Sequence, residues 1–240
     1  MLTHSFEDLA QSFRVLLESH FSFSRLLHVD RAEAIGNLEA GINTQLQAFH
    51  SMYDNMIQRG VNFDWYTCPE LLTILVIRNA RHHNKANKIR TLFNHHRLNA
   101  FPPTTVKNYF YVDFPSPPEE AGGDCFDVPV SWADIDEMLT LPRKESHLRP
   151  EVRERIRKYL NADSFESAAS EAGLGKQHIF INYVPLSLNA AIALYPNVVD
   201  LVTPHEDSIE AKYFLHHFQT TAPALTNVHE QGVLAFNLPE

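Results

Sequence analysis

The residues of this chain best suited to chemistry stand within six consecutive positions: Arg78-Asn79-Ala80-Arg81-His82-His83. An imidazole, with a reference pKa of about 6.5, exchanges protons near neutrality. A guanidinium holds phosphate through bidentate hydrogen bonds and stabilises the charge of a pentavalent phosphorane. Together these groups suit phosphodiester chemistry. The surroundings point the same way. From Leu71 to Val112 there is no Asp or Glu, yet Arg78, Arg81, Lys85, Lys88, Arg90, Arg97 and Lys107 all fall in that window. Seven of the 20 Lys+Arg are thus concentrated in one stretch of a protein whose net charge is −9. So acidic a chain does not coat nucleic acid over its whole surface, but a local basic site on it remains open.

On a helix, Leu72, Val76, Asn79, His83, Ala86, Arg90 and Phe93 form one stripe, with Arg78, His82 and Lys85 beside it. Its ends are apolar and its middle is polar. Burying those polar groups unpaired would cost on the order of 1–3 kcal/mol each. Either each has a partner, or the stripe lines a solvated groove. In the plainer reading, Arg78 and His83 are a structural pair satisfied by Glu39 or Asp54 of the preceding helix. The basic run 81–97 is then a solvated face neutralised from elsewhere, or a dock for an acidic protein.

The groups sit among segments that read as helices. Phe6, Leu9, Phe13, Leu16, Leu17 and Phe21 recur at spacings of three and four, predicting an amphipathic helix over 3–25. Asp30 is the expected N-cap of a second, with Glu33 completing a capping box. That helix runs to about Arg59, roughly 28 residues or ~40 Å, and stops at Gly60. Thr67 and Glu70 predict a capped start for the central helix, whose Asn79, Asn84 and Asn87 permit a break before Pro102 and Pro103 end it. Residues 101–130 hold six of the 14 prolines and Gly122-Gly123, and read as a connection containing one short strand over Val106–Phe114, with a hairpin as an option. Helical signals return from Ser131, where Ser131 and Asp134 suggest a further capping box. They continue through Arg149–Leu160, Leu186–Leu194 and Asp207–Phe218. His178–Val184 fits a strand or a buried helix start, and the final 20 residues lack periodicity. The expectation is a mainly α protein: a long-helix bundle over 1–100, a proline-rich connection over 101–130, and a second helical region over 131–240.

The six-residue segment fits an R-x4-H pattern with Asn directly after Arg. In this it resembles the HEPN superfamily, compact helical proteins whose catalytic members are metal-independent RNases. The family includes toxins of toxin–antitoxin pairs and abortive-infection proteins, and its Arg and His commonly lie in a cleft across a homodimer. The resemblance covers residues 1–100 at most. It implies that Arg78 stabilises the scissile phosphate, that Asn79 orients the motif, and that His83 is general acid/base while the RNA 2′-OH attacks. Arg81, His82, Lys85, Lys88 and Arg90 would then contact RNA. Arg90…His95 satisfies R-x4-H as well. On an unbroken helix Arg78 and His83 diverge by roughly 140°, so His82 is the better geometric partner unless the helix kinks. The Tyr found two residues after the His in members modified by nucleotide transfer is replaced by Lys85.

The remaining candidates carry plainer readings. The pairs His82-His83, His95-His96 and His216-His217 lack metal-ligand spacing, and neither a metal nor a cofactor is expected. Cys68 and Cys125 are not in a CxxC and read as reduced thiols. Arg143–Lys158 is either an exposed helix with internal ion pairs or an extension of the RNA surface. Phe63, Trp65 and Tyr66 suit core packing better than base stacking. There is no run of 18 apolar residues to span a membrane and no basic n-region of a secretory signal. A cytoplasmic endoribonuclease with RNA, a second copy or an antitoxin as partner is the favoured expectation. A non-catalytic module binding RNA or an acidic protein is the alternative.

Overall fold

Residues 71–77, LLTILVI, are buried without interruption, so the middle of the central helix is apolar all round and is enclosed by other elements. The computed structural model, which describes residues 1–102, 105–118 and 126–238, shows what surrounds it. The long helices α1 (Leu2–Leu27) and α2 (Arg31–Gln58) pair as a hairpin. α3 (Pro69–His82) lies against α2 and, further along the chain, against α5 (Trp132–Thr140), α6 (Arg143–Ser146), α7 (Val152–Tyr159) and α9 (Tyr183–Leu194). The short α4 (Leu92–Leu98), α8 (Ala162–Glu171) and α10 (Ile209–Thr220) complete the helices among the described residues. The fold is mainly α, as expected.

The hairpin forms because both sequences are amphipathic and because Gly41 admits close approach. A β-carbon there would meet the Leu16 backbone at 3.3 Å. Asp30 caps α2 by accepting from the Glu33 N–H at 2.9 Å, though the Asp30 N–H itself donates to Leu26, so only half of the expected box forms. Phe21 does not join the α1 stripe; it is 65% exposed, and Phe23 and Leu27 turn inward instead. Thr67 does not cap α3. Its hydroxyl donates to the Asp64 carbonyl and closes a 3₁₀ turn at Trp65–Thr67, so α3 begins one residue later with Pro69 in its first turn.

The strand content exceeds what the sequence suggested. β1 (Lys107–Asp113) matches the expected strand, but its neighbours are distant in sequence. β2 (Pro129–Ser131), β3 (Ile179–Asn182) and β4 (Glu230–Phe236) join it in the order β2-β3-β1-β4, with β1 parallel to β3 and antiparallel to β4. β1 and β2 are therefore not a hairpin. β4 replaces the expected irregular C-terminal segment: it carries no periodic pattern because only its backbone is used, while its side chains stay largely exposed. His178–Val184 resolves into both alternatives, strand β3 followed by the first turn of α9. One buried cluster runs from Leu2 to Leu238 and includes Trp65, Trp132 and Phe165. Pro103, Gly122-Gly123, Cys125 and the acids Glu119, Glu120 and Asp124 lie outside the described residues.

Candidate functional site

The central stretch breaks where its asparagines permitted. α3 ends at His82, and His83 is its C-cap. The chain then crosses a segment of left-handed backbone: Asn84 (φ 55°), Ala86 (45°), Asn87 (49°), Lys88 (61°) and Ile89 (50°). Each left-handed residue with a β-carbon costs roughly 1–2 kcal/mol, so four in succession need firm anchors. Ala86 and Ile89 are buried. Asp134, only 2% exposed, accepts from the Asn87 amide at 3.0 Å, the Arg90 N–H at 3.1 Å, and Arg90 Nε and its terminal nitrogen at 2.9 Å each. Ser131 caps α5 through the Asp134 N–H, as expected, but the Asp134 carboxylate serves the loop instead of the cap. From the other side, Arg81 donates to the Ile89 carbonyl at 3.0 Å.

This anchored loop closes a groove of about 400 Å³ between α2 and the α3–α4 corner. Arg78, Arg81, His82, Lys88, Arg90 and Arg97 line it, together with the polar Asn43, Gln47 and Asn94; Glu39 is its acid. Of the candidates, Arg78, Arg81, His82, Lys88 and Arg90 are thus brought together. Asn79, His83 and Lys85 lie outside the lining.

The cations are not equivalent. Arg81 pairs with Glu39 at 2.8 Å and Asn43 at 3.0 Å, and Glu39 also accepts from Thr91 at 2.7 Å. Arg90 is held on Asp134, and Lys85 pairs with Glu145 at 3.0 Å across exposed surface. The acid-free window is therefore partly answered from elsewhere in space. Arg78, Lys88 and Arg97, however, have no carboxylate partner among the described residues. Arg78 donates to the Asn79 side chain at 3.2 Å, while its Nε is buried without a partner. Burial lowers the Arg78 pKa, with the charge of Asp54 opposing it. Of the two acids that could have satisfied Arg78 and His83 as a structural pair, Glu39 is engaged by Arg81, while Asp54 stands 3.6 Å from His50 and acts on Arg78 through its charge without an ion-pair contact.

The imidazoles gather around Arg78. Burial, then the Arg78 charge, holds His50 below its ordinary pKa; Asp54 opposes this and His82 adds to it. His83 lies tilted against His147, with centroids 4.3 Å apart, and meets His82 edge-on at 4.8 Å. Burial lowers its pKa first, followed by His147, His82, Arg78 and Lys85. His50 and His147 were not legible as site residues, because a histidine inside an amphipathic helix and one after a four-residue helix carry no motif.

Other sequence candidates resolve as structure. Arg90…His95 is not a second site: His95 faces the rings of Tyr109 and Phe180 at 5.9 and 5.6 Å. Burial pushes the Cys68 thiol up to about 12, and it donates to Glu70 at 3.0 Å, which suits an inert thiol. Trp65 is fully buried, and Tyr66 lies under Arg149, 4.0 Å from its guanidinium. The basic segment 143–158 is largely committed to tertiary pairs. Arg149 bonds Asp64, Arg155 the Tyr66 carbonyl, and Arg157 bridges Asp136, Asp163 and Glu166. No helix of the described residues is long and apolar enough to cross a membrane. Compared with known families, characterised proteins and solved structures, the chain matches none, so the geometry of the groove carries the functional argument by itself.

Proposed function

We propose that the groove binds the phosphate backbone of RNA and that the protein is a HEPN-like, metal-independent endoribonuclease with Arg78 and His82 at its centre. The observation that carries this reading is an Arg78 guanidinium without a carboxylate partner, beside His82, in a groove that also presents Lys88 and Arg97 without an acid among the described residues. Cations left without acids in a preformed concavity suit an anion supplied from outside. Every group invoked belongs to one chain.

In the reaction, an imidazole takes the proton of a ribose 2′-OH, and the 2′-oxygen attacks the adjacent phosphorus. Arg78 neutralises the charge that gathers on the non-bridging oxygens. The bond to the 5′-oxygen breaks, and that oxygen leaves with a proton from a second acid, giving a 2′,3′-cyclic phosphate and a 5′-OH. His82, which lines the groove, is proposed as one of these imidazoles; His50, outside the lining but within the electrostatic reach of Arg78 and His82, is proposed as the second. The role that the resemblance gives to His83 passes to His82, which lines the groove while His83, outside the lining, packs against His147.

A labelled RNA pool incubated in excess EDTA tests this. Wild type is expected to leave 2′,3′-cyclic ends, His82→Ala to lose on the order of 10²-fold or more in rate, and His83→Ala to remain within a few-fold. Loss of cleavage in His83→Ala alone would return the role to His83. If wild type does not cut but still binds RNA, the groove is a non-catalytic docking surface, the second reading favoured by the commitment of Arg81 and Arg90 to structural pairs.

A further inference from the structure

Far from the groove, the first turn of α1 meets the segment that precedes α10. His4 and Glu7 are three residues apart and so lie on one helix face. His205 comes from the other end of the chain. Its backbone N–H donates to Glu7 Oε1 at 2.8 Å, and two residues earlier the Thr203 N–H donates to the Thr3 hydroxyl at 3.3 Å. The loop is therefore fixed to the helix by its backbone, so the His205 imidazole is not needed to hold it there. The two rings stand nearly parallel, 12° apart, with centroids at 5.4 Å. Glu7 Oε2 is 3.2 Å from His4 Nδ1, and one ligand atom from each of the three residues fits within a 4.8 Å span.

We propose that His4, Glu7 and His205 bind a zinc ion that staples the start of α1 to the segment preceding α10. Two imidazole nitrogens and one carboxylate oxygen are a donor set that zinc accepts and that calcium and magnesium do not favour. Tetrahedral zinc with N and O ligands at about 2.0–2.1 Å sets neighbouring ligands about 3.4 Å apart. The His4–Glu7 edge, at 3.2 Å, is close to that length, and a His205 ring nitrogen lies within 4.8 Å of both. His4 and His205 are exposed, so the ion enters from solvent and keeps water at the remaining position. The pattern is invisible to local motif reading because Glu7 and His205 are 198 residues apart.

Chelator-stripped protein titrated with Zn²⁺ by calorimetry, and with Co²⁺ by visible absorption, tests the site. Wild type is expected to bind one equivalent and to show the d–d bands of four-coordinate cobalt. A hundredfold excess of Zn²⁺ over its dissociation constant should raise Tm by on the order of 5 °C. His205→Ala keeps the backbone hydrogen bond to Glu7, so its fold and its Tm in EDTA should match wild type while zinc affinity falls tenfold or more. Glu7→Gln should behave likewise, and the double variant His83→Ala/His147→Ala should bind as wild type does. Unchanged affinity in both His205→Ala and Glu7→Gln, or no binding by wild type, overturns the proposal. Neither outcome touches the RNase reading, whose assay runs in EDTA.

Discussion

At the scale of single residues, what distinguishes Arg78 from its neighbours is the absence of a carboxylate. Arg81 and Arg90 sit in the same groove, but each already holds one. Removing Arg90 would strand the buried Asp134, and removing Arg81 would take the ion-pair partner from the half-buried Glu39, whereas removing Arg78 relieves a half-buried guanidinium whose Nε is enclosed without a partner. Arg78→Lys is therefore expected to fold as wild type yet lose about 10²-fold in cleavage, because an ammonium cannot make the planar two-pronged contact to phosphate. Thermal unfolding beside single-turnover kinetics checks both halves. If the lysine variant cuts normally, the guanidinium is not stabilising the reacting phosphate. His82 and His83 are adjacent in sequence but face different neighbours, and only the helix terminus between them decides which one meets the groove.

At the scale of elements, the groove depends on the left-handed segment Ala86–Ile89 and on the buried carboxylate that anchors it. Asp134→Ala removes one partner of a buried charge pair and four hydrogen bonds, and is expected to destabilise the protein by about 3–5 kcal/mol in urea denaturation. A cost below about 1 kcal/mol would mean that Ala86 and Ile89 hold the turn without the clamp. Lys88 projects from this segment, and Arg97 from α4, as cations free to meet phosphate. For single-stranded RNA each phosphate contact contributes about 0.7 to the slope of log K against log salt. Lys88→Ala with Arg97→Ala should flatten that slope by about 1.4 in binding titrations, and an unchanged slope would exclude both from the backbone path.

At the scale of the whole molecule, burial of histidine predicts acid sensitivity. His96 is 3% exposed, and burial, followed by the charges of His95 and Lys107, pushes its pKa down to about 4. His20, His50, His95 and His217 are lowered too, each chiefly by burial. A histidine whose folded pKa is depressed takes up its proton more readily when unfolded. Its contribution is complete above the unfolded value of about 6.5 and is lost as pH falls from there towards 4. Each such site gives at most about 1.4 kcal/mol per pH unit. Urea midpoints should therefore fall between pH 7 and pH 5, and His96→Gln should show a shallower fall than wild type. Equal slopes in the two proteins would remove His96 from the account.

The helices with local signals follow from residue pattern alone. Apolar residues at spacings of three and four marked α1 and α2, Asp30 and Ser131 marked helix starts, and the aromatic run at Val106–Phe114 marked β1. So does the charge contrast of the 71–112 window, since composition needs no coordinates. Tertiary structure decided how that charge is used. Glu39, Asp134 and Glu145 lie 42, 44 and 60 residues from the cations they pair with, and no local pattern says which of seven cations an acid will choose. It likewise decided the sheet, because β4 pairs with a strand more than a hundred residues earlier through backbone groups that every residue carries. Side-chain type and spacing thus told which groups could do chemistry. Long-range pairing, which follows from packing a single core, told which of them were left free to do it.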